Sequence, residues 1–205
     1  MTTRTTTIET VTIVRPLKVI ALICLFIAFI LLIVCISTTW WLRSGSFRIG
    51  LFLECTSSDE RLQGIADGPP PGKCQKPHRY STYIKAVAVL LIIAAVITIL
   101  AFILNLIGIK TRDLHRKYVF YKIVTYFALL VVLLELISLI IFPVCFYVEM
   151  KNFGNRVWEF DWSYGIAWGA TLFTFGATLL LICDKEHEEI YYKEKTIYNP
   201  PPELK

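Results

Sequence analysis

Four long apolar runs set the limits on what this chain of 205 residues can become. Val19–Ile36 is eighteen apolar residues without a polar interruption. The second run, about Ala86–Ile109, is relieved only by Thr98, Asn105 and Gly108. The third, about Ile123–Tyr147, carries Glu135 near its middle, and the fourth covers about Tyr164–Cys183. A helix of roughly 20 apolar residues crosses the hydrocarbon core of a bilayer. In lipid each segment must satisfy its own backbone, so helices are the expected form. The alternation over about ten residues that marks a membrane barrel is missing. Composition agrees: 56% of residues are hydrophobic and 18% charged, against roughly 45–50% and 25% in soluble domains. A soluble enzyme, a disordered regulator and a disulfide-only miniprotein are excluded. The net charge of +5 is scattered and gives no case for nucleic acid.

The expected class is therefore an all-α membrane protein with four spans, about 17–39, 86–109, 123–147 and 164–183. A 17–183 transmembrane domain would lie between an N-terminal tail, 1–16, and a C-terminal tail, 184–205. The first run exceeds the 7–15 residues of a signal-peptide core. Cys35-Ile36-Ser37 offers a cleavage context, but Trp40 and Trp41 fit an interfacial belt that closes a retained span.

Orientation follows from the loops. Residues 110–122 hold Lys110, Arg112, Arg116, Lys117 and Lys122 against Asp113 alone, which marks a cytoplasmic loop. Both termini then lie inside, and loops 40–85 and 148–163 lie outside. Loop 40–85 has seven basic residues of its own, spread over more than forty positions. The cysteines add an independent argument. Of six, only Cys55 and Cys74 fall in a loop, and it is the same outer loop. An oxidising exterior should join them. Cys24, Cys35 and Cys145 read as small packing residues inside spans. Cys183, at the inner end of span four, is a candidate for S-palmitoylation or for simple burial.

In the outer loop Phe47, Ile49, Leu51 and Leu53 recur with period two, the pattern of a half-buried strand. Gly68-Pro69-Pro70-Pro71-Gly72 breaks regular structure within an excursion from Gly64 to Gly72. Loop 148–163 has room for one strand. A small extracellular sheet standing on the helices is expected.

Trp41, then Gly50-Leu51-Phe52, then Cys55 and Cys74 resembles the claudin-superfamily pattern W…G-L-W-x-x-C…C. Phe52 stands where the pattern has Trp, and eighteen residues separate the cysteines. Ile137–Pro143 closes span three, and Phe160–Ala170, with Trp162, Tyr164, Gly165, Trp168 and Gly169, opens span four. With Arg15-Pro16-Leu17-Lys18, these segments resemble the brain cell membrane protein branch of the claudin/peripheral myelin protein superfamily. The resemblance implies a left-handed four-helix bundle, an extracellular β-sheet, a place in the plasma membrane at cell–cell junctions, and no catalysis.

Other residues stand out physically. Gly165, Gly169 and Gly176 fall at i, i+4 and i+11, a stripe that lets a helix approach closely, within the bundle or on another copy. Glu135 is a costly mid-membrane acid. It should face the bundle interior, with Thr98 and Thr174 at similar depth as partners, as structural glue or in an ion or proton role. Pro143 should bend span three. Trp158, Trp162, Tyr164 and Trp168 read as an outer aromatic belt or a partner surface. The tail ends Glu203-Leu204-Lys205, unlike the hydrophobic C-terminus that a PDZ domain takes.

Chemistry is not found. His78, His115 and His187 sit in separate segments without metal-ligand spacing, and no C-x-x-C, phosphate loop or nucleophile constellation occurs. No catalytic residue, metal, cofactor or small-molecule substrate is expected. The partners expected are membrane lipid, other copies and other junction proteins. The leading reading is an organiser of adhesion or of the paracellular barrier. The alternatives are a claudin-type pore or charge filter, for which loop 40–85, with seven basic and four acidic residues, would favour anions, and an auxiliary subunit of a channel or receptor.

Overall fold

The structure is a computed structural model that describes residues 16–45, 47–57, 72–76, 82–111, 113–149 and 157–183. The Thr-rich N-terminal arm, most of the Pro-rich excursion, the C-terminal tail, His78 and His187 lie outside the described residues.

Four helices follow the four apolar runs: α1 (Pro16–Ser37), α2 (Thr82–Lys110), α3 (Leu114–Glu149) and α4 (Trp162–Cys183). All four are long and apolar enough to cross a membrane. Two reach well beyond their runs. α2 begins at Thr82 and α3 at Leu114, because Lys, His and Tyr side chains suit a helical turn that has left the hydrocarbon. The outward faces carry large apolar side chains such as Ile23, Val96, Leu133 and Leu172. That is the surface a lipid solvent calls for.

Five short strands form one antiparallel sheet: β1 (Leu42–Ser44), β2 (Phe47–Ile49), β3 (Glu54–Thr56), β4 (Cys74–Gln75) and β5 (Glu159–Phe160), in the order β4-β3-β2-β1-β5. Among the described residues the 148–163 loop contributes β5. The period-two run does not form a single strand. It breaks at Gly50, whose amide donates to Leu53 O at 2.9 Å, and the chain turns back as β3. The cause is a close approach: a Cβ on Gly50 would stand 2.6 Å from Thr39 Cα and 2.8 Å from Thr38 O. Phe47, Ile49 and Leu51 are buried, whereas Leu53, beyond the turn, is exposed. Gly45, with φ +58°, supplies the reversal between β1 and β2.

Two cores result. The outer one, next to the sheet, holds Trp41, Leu42, Phe47, Ile49, Leu51, Val87, Leu91, Leu139, Phe142 and Phe146. The other, at the far end of the helices, holds Ala21, Leu25, Ala101, Val124, Ala128, Ala177 and Leu181.

Candidate functional site

The join between sheet and bundle brings together most of the motif residues. Trp41 follows the last turn of α1 and is fully buried, not part of an interfacial belt. Its indole N–H donates to Cys35 O at 2.7 Å, which satisfies one of the carbonyls that a helix C-terminus leaves open. The ring packs edge-on against Phe142 of α3 at 4.9 Å and Tyr164 of α4 at 6.0 Å. Phe160 of β5 lies 4.8 Å from Tyr164. Trp158 lies 6.0 Å from Phe47 and 5.6 Å from Phe146. One aromatic cluster therefore ties α1, α3, α4, β2 and β5 together.

Pro143 belongs to the same cluster through its backbone. A proline cannot donate to the carbonyl four residues back. That carbonyl, Leu139 O, instead accepts from Tyr164 Oη at 3.0 Å. α3 runs on past Pro143 to Glu149. The pairing joins two residues that sequence could only single out separately, because it depends on how α4 packs against α3.

The start of α4 is fixed to the end of α1. Asp161 N donates to Trp41 O, and Ser163 N donates to Trp40 O, both at 3.1 Å. Asp161 Oδ1 accepts from Trp162 N at 2.7 Å. The Ser163 and Thr38 hydroxyls are 2.6 Å apart. Trp40 is half-buried under the Arg48 guanidinium, 3.7 Å from its ring centre. Trp162 and Trp168 are exposed at the same end of α4, in keeping with a belt.

Cys55 and Cys74 form the disulfide, and they are direct partners across β3 and β4. Next to them lies the Gly50-Leu51-Phe52 turn, in which Leu51 is buried but Phe52 is 40% exposed and stays out of the core. The turn is set by Gly50 and Leu51, and the ring at position 52 is left at the surface.

Of the three α4 glycines, Gly165 and Gly176 face away from the bundle, and Gly169 borders α1. A Cβ on Gly165 or Gly176 would meet nothing within 4 Å, and on Gly169 only Leu31 Cδ1 at 3.8 Å. The bundle instead packs against Ser163, Ala167, Ala170, Thr171, Thr174, Ala177 and Thr178. These positions lie about half a turn around the helix from the glycines. Cys183 is exposed at the far end of α4 and has a free thiol.

Glu135 is buried between the helices, as expected of an intramembrane acid. Thr174 Oγ1 stands 3.3 Å from its Oε1. Thr98 donates to Ala94 O at 2.7 Å instead. Among the described residues no cluster of three His, Cys, Asp or Glu side chains is placed to hold a metal.

The sequence model of the PMP-22/EMP/MP20/Claudin family matches residues 17–181. A curated relative, the p53 apoptosis effector related to PMP-22 of Danio rerio, is 34% identical over 118 residues. That match takes in 57% of this chain and 60% of the relative's length.

Proposed function

The chain belongs to the PMP-22/EMP/MP20/Claudin family, and from that premise we propose that it is a non-enzymatic organiser of cell–cell contacts. In this reading the sheet stands outside the cell, both termini are cytoplasmic, and the protein strengthens adhesion or the paracellular barrier by binding other copies and other junction proteins. The observation that carries the reading is the way the sheet is held. Five strands are clamped by a disulfide at one edge and seated on the helices by the Trp41–Phe142–Tyr164 cluster. A surface fixed in this way keeps its shape when it meets a partner, so little ordering cost is added on binding. The basic 110–122 segment supports the orientation.

Lateral self-association belongs to the same reading. The face of α4 with Gly165, Gly176 and the exposed Leu172 is turned away from its own bundle. Close approach of helices at small residues is a common mode of association in lipid.

The test is imaging of a tagged copy in a polarised epithelium, with cysteine cross-linking from residue 172. Enrichment at lateral contacts and a cross-linked dimer are expected. A uniform apical or reticular distribution would remove the junctional reading, and the absence of a dimer would remove the self-association.

A further inference from the structure

The bundle interior holds an arrangement that the junctional reading does not use. Glu135 is 1% exposed. Its Oε2 is buried without a hydrogen-bonding partner. Its Oε1 lies 3.3 Å from Thr174 Oγ1, longer than the ~2.7–2.8 Å of an ordinary hydroxyl hydrogen bond. The one hydrogen of Thr174 has a nearer acceptor, Ala170 O at 3.0 Å.

Thr171 also reaches Glu135, and the hydroxyls along these two helices bond to their own backbone. Thr171 donates to Ala167 O at 3.0 Å, Thr178 to Thr174 O at 2.8 Å, and Ser138 to Leu134 O at 2.8 Å. A hydroxyl has a single hydrogen and two lone pairs. Each of these groups gives its hydrogen to its own helix and keeps oxygen lone pairs for the interior. Around Glu135 the α4 hydroxyls therefore share their hydrogens with their own backbone, and Oε2 is left without a partner.

No described base shares this depth. Lys18 is the buried one, with its ammonium 3.8 Å from the Tyr121 ring centre. It lies about 25 Å along α1 from Cys35, the α1 residue that interacts electrostatically with Glu135.

We propose that Glu135, with the hydroxyl oxygens of Thr174 and Thr171, binds a single small monovalent cation of the sodium type. Oxygen ligands suit hard cations. Two oxygens 3.3 Å apart can share an ion about 2.3 Å from each. One carboxylate balances one positive charge, which favours a monovalent ion. This proposal is independent of where in the cell the protein sits.

The experiment is thermal unfolding of the full chain in lipid nanodiscs at equal ionic strength of sodium, lithium, potassium or choline chloride. Sodium should raise the midpoint by about 2–4 °C over choline. Glu135→Gln should abolish the difference, and Thr174→Val should move the sodium titration to about tenfold higher concentration. Equal midpoints in all four salts would overturn the proposal, and that is the outcome if water alone fills the site. A sodium shift that survives in Glu135→Gln would overturn it as well. Should that variant not fold, an unchanged titration in Thr174→Val would do the same.

Discussion

The sheet end and the far end of this bundle are held together in different ways. At the sheet end the contacts are between large, shaped side chains: Trp41 against Phe142 and Tyr164, and Trp158 against Phe47 and Phe146. At the far end, among the described residues, no buried aromatic ring takes part in the core, and Ala21, Ala101, Ala128 and Ala177 pack with Leu25, Val124 and Leu181. Lipid is as apolar as leucine, so helices within it gain little from burying bulk and much from close approach. The outer end has a different task. It must fix a sheet outside the membrane to helices within it, and interlocking rings with directed hydrogen bonds do that.

The contrast predicts unequal sensitivity. The largest loss is expected for Trp41→Ala, which removes the centre of the outer cluster and leaves Cys35 O without its indole donor. A buried Trp→Ala change costs about 3–5 kcal/mol. Unfolding in detergent should show a loss of that order, and surface biotinylation should show the variant retained in the cell.

Next comes the disulfide. The double change Cys55→Ser with Cys74→Ser removes a link across a 19-residue separation, for which about 3 kcal/mol is expected. A conformation-specific binder raised against the sheet should lose affinity while helical circular dichroism stays unchanged. Loss of helix signal would mean that the two ends are not separable.

Gly50→Ala should follow, at about 1–3 kcal/mol, because its Cβ would collide with the Thr38–Thr39 backbone. Tyr164→Phe removes the donor to Leu139 O and should cost about 1 kcal/mol, read as a lower thermal midpoint. The smallest effect sharpens the contrast from the other side. Gly176→Ala meets open space, so monomer stability should stay within about 0.5 kcal/mol of wild type. A large loss there would show that the lipid-side face of α4 already has a partner in the folded monomer.

Much of this architecture was legible in the sequence. Apolar run length alone located the four helices. The two loop cysteines pointed to the disulfide that joins β3 to β4. The rest was hidden because it depends on contacts between distant segments. Trp41 reads as a belt residue until Phe142 and Tyr164, a hundred and more residues away, are placed around it. The Phe47–Leu53 alternation reads as one strand, because the obstacle at Gly50 is the backbone of Thr38 and Thr39. Pro143 signals a missing hydrogen bond but not that Tyr164 takes up the carbonyl. The glycine stripe shows a smooth face of α4. Which way that face turns is decided by Ala167, Ala170 and Thr174 on the other side.

The account rests on an outer sheet closed by its own sulfur bridge and seated on the aromatic cluster. Peptide mapping by mass spectrometry, on surface-labelled protein alkylated without reduction, tests this most directly. The account predicts a linked peptide pair joining Cys55 to Cys74, with Cys183 recovered as a separate peptide. Alkylated thiols at both Cys55 and Cys74 would contradict it.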